Sequence, residues 1–158
     1  MLSKARRQGF ELAAWSHFVI VVKSAVVRGW AAPVTLVGLI VAALVAVLGG
    51  RVDRVDGVIE AGGGALGRWM RRFTRIDAIT LGHVVIGTSA AALECWRAHE
   101  HAHVRQYERW GALMPLLYAA SSLREWRRGR DPYRHNVFER EARVIARRPK
   151  PGIAARRR

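Results

Sequence analysis

The stretch Ala90-Ala91-Ala92-Leu93-Glu94-Cys95-Trp96-Arg97-Ala98-His99-Glu100-His101-Ala102-His103-Val104-Arg105-Gln106-Tyr107-Glu108-Arg109-Trp110 reads as one helix. It is rich in Ala, Glu and Arg and free of Pro and Gly. Thr88 and Ser89 stand ahead of it as N-caps, and Gly111 ends it. Within it, His99-Glu100-His101-Ala102-His103 forms an HExxH motif. Residues four apart share a helix face, so His99 and His103 converge while His101 points to roughly the opposite side. Two imidazoles with a carboxylate beside them suit a Zn²⁺ site. The ion lowers the pKa of a bound water towards neutrality, and Glu100 is placed to take the proton as general base.

The same face carries further candidates. Gln106 and Tyr107 follow His103 by three and four positions and are expected near the metal, touching a ligand or a substrate, with core packing as the alternative for Tyr107. Cys95 lies one turn before His99 and is expected to be a buried, inert thiol. A single cysteine excludes an internal disulfide.

A zinc site with an open position needs a third protein donor. Downstream, Asn136-Val137-Phe138-Glu139-Arg140-Glu141-Ala142-Arg143 suggests a second helix with Asn136 as N-cap. Glu139 falls at N3, where it could merely close a capping box. Phe138, Ala142 and Ile145 make an apolar stripe flanked by Glu139 and Glu141, so periodicity leaves the third ligand as either glutamate.

HExxH followed by Glu-x-x-Ala on a later helix resembles the gluzincin metallopeptidases, whose third zinc ligand is a glutamate. In the membrane-bound branch that includes the CAAX prenyl protease type, the later motif is Glu-x-x-Ala-Asp. It maps onto Glu139 to Arg143, which implies Glu139 as the ligand and Glu141 as the alternative, with Arg143 standing where that branch has Asp. The chain is more similar still to a set of short uncharacterised bacterial membrane-associated proteins of gluzincin type. They share its Thr80–His83, His99–Gly111 and Asp131–Ala142 blocks, a match covering roughly residues 30 to 143. The resemblance implies a zincin-like metallopeptidase core, with zinc on His99, His103 and Glu139 and Glu100 as the catalytic base.

Asp77 to Gly87 contains Ile79-Thr80-Leu81-Gly82-His83-Val84-Val85-Ile86, a β-branched run that predicts a strand ahead of the motif helix. Gly50 to Gly62 reads as two short strands around Asp56-Gly57, a strong hairpin signal. A small antiparallel sheet beside the motif helix follows, and the zincin resemblance implies that the preceding strand lines the cleft and can pair with an extended substrate. His83 is then either a substrate-contacting group or an ordinary strand histidine.

Ala31 to Gly50 is free of charge and long enough to cross a hydrocarbon core, with a buried core helix as the alternative. Leu12 to Trp30 is apolar but carries Lys23 and Arg28, which favours an interfacial segment over a second span. Ala112 to Leu123 is too short to span and predicts a core or membrane-dipping helix. Arg97, Arg105, Glu108 and Arg109 argue against an intramembrane protease. Basic residues on both sides of the span leave the catalytic side of a bacterial cytoplasmic membrane open.

The chain has 158 residues and a net charge of +15. Arginine clusters at 68–75, 124–130 and 147–158 suit anionic membrane lipid, and no specific nucleic acid partner is expected.

The organisation expected is therefore α+β. Residues 1–30 are interfacial, 31–50 a transmembrane helix, 51–146 a zincin-like domain and 147–158 a basic disordered tail. The function expected is membrane-anchored, zinc-dependent hydrolysis of a peptide or protein substrate through a metal-activated water. The alternative is a non-catalytic membrane protein with a structural or vestigial metal site and basic surfaces for lipid or a partner.

Overall fold

Two tight turns organise the sheet. In a computed structural model that describes residues 29–147, β1 (Gly50–Val55) and β2 (Val58–Gly63) pair antiparallel across Asp56-Gly57. Both turn residues have positive φ, 50° and 85°, the geometry whose twist suits a two-residue hairpin. The run read as one strand is a second hairpin: β3 (Ala78–Leu81) turns at Gly82-His83 into β4 (Val84–Gly87). Gly82, at φ 66°, permits that reversal.

The strand order is β1-β2-β4-β3, with β2 and β4 parallel, so the sheet is mixed and not purely antiparallel. The parallel pair arises because helix α2 (Gly64–Phe73) and β3 intervene between its two strands. Helix α2 is absent from the sequence reading: its residues are amphipathic, but Gly64 and Gly67 depress helix propensity in a segment of only ten residues.

Alternation along the strands sorts two cores. Val84, Ile86 and Ala61 pack with Met70 of α2 and with Ala42 and Val45 of α1, described over Gly29–Val47. On the other face Val85 and Val58 pack with Leu93 and Val104 of α3 (Ala90–Trp110). The layers are thus α1 and α2, sheet, then α3. A 3-10 turn (Gly111–Leu113) leads into α4 (Met114–Arg127), which is displaced and longer than the Ala112 to Leu123 expected; α5 (Val137–Ala146) follows.

Helix α1 is long and apolar enough to cross a membrane. It also belongs to the core along its whole described length. Ala31 packs with Tyr107, Met114 and Phe138 at one end, and Val45 packs on the sheet at the other. A division of the chain at residue 50 therefore does not divide the packing. Leu36, Val37, Ile40, Leu44 and Val47 leave an apolar outer face exposed. The interfacial segment expected before Gly29 and the tail after Arg147 lie outside the described residues.

Candidate metal centre

Ser89 starts α3, its hydroxyl accepting from Ala92 N at 3.1 Å. From that start the helix carries His99, Glu100 and His103 to its buried side, each less than a tenth exposed. Asn136 starts α5. Its Oδ1 accepts from Phe138 N at 2.9 Å, while its Nδ2 donates to Tyr118 O and Ser122 Oγ, pinning α5 to α4. Glu139, one residue past Phe138, then faces the two histidines; its carboxylate is not used in a capping box.

The donors converge. His99 Nε2 and His103 Nε2 are 3.1 Å apart, Glu139 Oε2 is 3.3 Å from His99 Nε2, and Glu139 Oε1 is 3.3 Å from His103 Nε2. The group could hold a metal ion. Its donor set fits one: three electron-pair donors meet in a buried space, and Glu139 Oε2 there has no hydrogen-bond partner among the described residues. An anionic oxygen left so would be costly without a cation or proton beside it.

Surrounding groups fix each donor. Gln106 Oε1 lies 2.8 Å from His103 Nδ1, and Gln106 Nε2 donates to Phe138 O at 3.0 Å and to Glu141 Oε2 at 2.9 Å. With Nδ1 donating to Gln106, His103 keeps its Nε2 lone pair for the centre. Glu141 is exposed and holds Gln106, so Glu139 and not Glu141 joins the histidines. Tyr118 donates to Glu139 Oε1 at 3.0 Å. Thr80 donates to Glu100 Oε2 at 2.7 Å and so aims that carboxylate from β3.

The charges respond to this crowding. Burial raises the Glu139 carboxyl but is outweighed by His103 and His99, which hold it well below the usual carboxylate range. Burial likewise lowers His103, yet Glu139 and Gln106 leave it raised. Burial and the Glu139 charge push the Tyr133 hydroxyl up to about 12.

Other sequence candidates lie elsewhere. His83 occupies the β3–β4 turn with Nδ1 3.3 Å from Thr35 Oγ1 and Nε2 3.4 Å from Glu108, bracing α1 against α3 away from the metal group. Tyr107 is core, packed with Ala31, Met114 and Phe138. Cys95 is exposed, which corrects the buried thiol expected. His101 points away from the metal group as the helix period predicts, 3.1 Å from Glu60. Glu60 also accepts two hydrogen bonds from Arg97, at 2.8 and 3.0 Å, and ties β2 to the back of the motif helix.

No local pattern in the sequence marks Thr80, Tyr118 or Glu60. Thr80 shares a strand face with Ala78, which meets α3, but that face is known only once the sheet order is known. Arg143, where the resemblance has Asp, donates to the carbonyls of Arg134 and Tyr133 at 2.9 and 3.1 Å and sits 3.9 Å from Glu139. It thereby straps the loop before α5 to the ligand helix. No protein-family model, curated protein or solved structure matches the chain.

Proposed function

We propose that the protein is a membrane-associated, zinc-dependent metallopeptidase of gluzincin type. The observation that carries this reading is the convergence of His99, His103 and Glu139 beside the tethered carboxylate of Glu100. Four-coordinate zinc with donors at about 2.0–2.2 Å separates neighbouring donors by about 3.3–3.6 Å. Of the separations here, the two of 3.3 Å lie at the short end of that range and the one of 3.1 Å falls just below it.

When bound, the ion supplies Lewis acidity and lowers the pKa of a water. The chain's own residues supply the rest. His99, His103 and Glu139 hold the ion, Gln106 fixes the His103 tautomer, and Tyr118 fixes the Glu139 rotamer. Glu100 accepts the proton of the attacking water and returns it to the departing amine. Thr80 keeps that carboxylate in one orientation. β3 is an edge strand beside the motif helix, which suits pairing with an extended peptide. Membrane association is assigned to the outer face of α1, because its inner face is occupied by the sheet.

Burial favours a second reading. The three donors are each less than a tenth exposed, as in closed structural sites, so a non-catalytic metal site is the competitor. Elemental analysis and peptide-library hydrolysis with the full chain separate the two. The peptidase reading expects about one zinc per chain, lost in His99→Ala and in Glu139→Ala. It also expects hydrolysis that falls by about a hundredfold or more in Glu100→Gln while zinc stays. Zinc without Glu100-dependent hydrolysis selects the structural reading; absence of zinc in the wild-type chain rejects both.

A further inference from the structure

At the other end of α3 lies a cavity of about 410 Å³. β2 runs through Gly62-Gly63-Gly64 directly into α2, and all three glycines line the cavity. Gly63 and Ser89, the N-caps of α2 and α3, both face it, so two helix N-termini open on one space. Neither helix has an acid in its first turn, and α2 has no side-chain cap. Ala65 N–H is taken by Leu48 O at 3.0 Å and Ala92 N–H by Ser89 Oγ at 3.1 Å, so the remaining donor capacity rests on the other first-turn N–H groups, and the partial positive charges of the two helices add. Arg51, Arg68 and Arg71 line the same space against one acid, Asp53.

Thr88 points to a ligand independently of the helix ends. It lines the cavity and is 2% exposed, and its hydroxyl makes no hydrogen bond among the described residues. Its backbone N–H is already committed to Asp77 O at 2.8 Å, so the hydroxyl is the donor that Thr88 offers. The buried side-chain atoms without a partner among the described residues are Glu125 Oε2 and Glu139 Oε2, so the Thr88 hydroxyl, with no protein partner, is not sealed off but reaches the cavity, where it can donate to an acceptor that enters.

We propose that this cavity binds a phosphate group. The phosphate oxygens would lie on the N-terminal N–H groups of α2 and α3 and on the Thr88 hydroxyl, with Arg51, Arg68 and Arg71 meeting the charge. The headgroup of an anionic phospholipid and a soluble phosphate share that chemistry. Gly49 and Gly50, just after α1, also line the cavity. α2 exposes Trp69 and Phe73, whose rings are 5.9 Å apart, and Arg72 stacks on Phe73 at 5.7 Å, a composition suited to the headgroup level of a bilayer. The site is separate from the metal group, since Ser89 and His99 stand ten residues apart on α3, about 15 Å.

Calorimetric titration of the full chain in phosphate-free detergent tests this, with inorganic phosphate and short-chain phosphatidylglycerol as the two probes. Saturable binding of at least one probe is expected. It should weaken by about tenfold or more in the double variant R68Q/R71Q and severalfold in Thr88→Val, and by less than about twofold in R127Q/R140Q at the other end of the molecule. Binding of the lipid that inorganic phosphate does not displace identifies a headgroup site; equal binding or full displacement identifies a soluble phosphate. Zinc content should be the same in every variant, which keeps this test distinct from that of the metal centre. Because Arg68 and Arg71 are exposed, their variant carries the test even if Thr88→Val does not fold. Failure of both probes to saturate, or equal losses in R68Q/R71Q and R127Q/R140Q, overturns the proposal in favour of diffuse attraction to a chain of charge +15.

Discussion

Glu60 shows how a single side chain can hold the motif helix without touching the metal group. It is 3% exposed, on the α3 face of β2, and accepts from Arg97 while lying 3.1 Å from His101. Burial raises its carboxyl, but Arg97 and His101 outweigh this and leave the pKa lowered. A carboxyl depressed on folding contributes stability that is complete above its unfolded value of about 4.3 and is lost as pH falls through the lower folded value. Glu60→Gln is therefore expected to cost about 1–3 kcal/mol at neutral pH and to flatten the acid limb of the stability curve. Urea denaturation at a series of pH values measures both; an unchanged acid limb would show that Glu60 is not the group responsible. The HExxH spacing placed His101 on the far side of α3, whereas its partner could not be read. Glu60 lies on another element, and only the sheet's register brings it under the helix.

At the scale of elements, what the sequence states locally is what the fold keeps. Asp56-Gly57 specified its hairpin, Ser89 and Gly111 bounded α3, and Asn136 started α5, because each is a short-range signal. In the sequence, Gly82-His83 reads as part of a strand because strongly β-forming residues stand on both sides of it. Its role as a turn depends on α1, whose Thr35 hydroxyl accepts from His83 N at 3.2 Å. Nor could the parallel pairing of β2 with β4 be read, since it depends on a helix whose glycines hide it. Close packing of α1 has one clear determinant: a Cβ at Gly38 would lie 2.7 Å from Leu81 O and 2.8 Å from Val84 Cβ. Gly38→Val should destabilise the protein by about 1–3 kcal/mol through overpacking, whereas Ala43→Val, on the exposed side of the same helix, should not. Thermal unfolding in detergent compares them, and equal behaviour of the two variants would refute this account of docking.

For the molecule as a whole, the membrane anchor and the zincin-like domain expected as successive units share one interior. Ala42 and Val45 are buried with Ala61, Met70, Val84 and Ile86, so removing α1 leaves α2 alone on one face of the sheet and uncovers Val84 and Ile86 from α1's side. A chain beginning at Arg51 is expected to be aggregation-prone or to lose cooperative unfolding, while the full chain in detergent unfolds in a single transition. A soluble, cooperatively folded 51–147 fragment would contradict this. The sequence shows α1 to be apolar all round, which suits lipid and core equally; only tertiary contacts separate its two faces.

The two-faced α1 carries one more consequence. On the proposed seating of its outer face in lipid, this helix would work as a keel that fixes the molecule's roll on the membrane. The metal group lies towards the Ala31 end and the glycine-lined cavity at the Gly49 end, so both would then ride at a constant height above the hydrocarbon. Encounters would become a search in two dimensions, favouring partners that themselves travel along the bilayer surface over those arriving from solution.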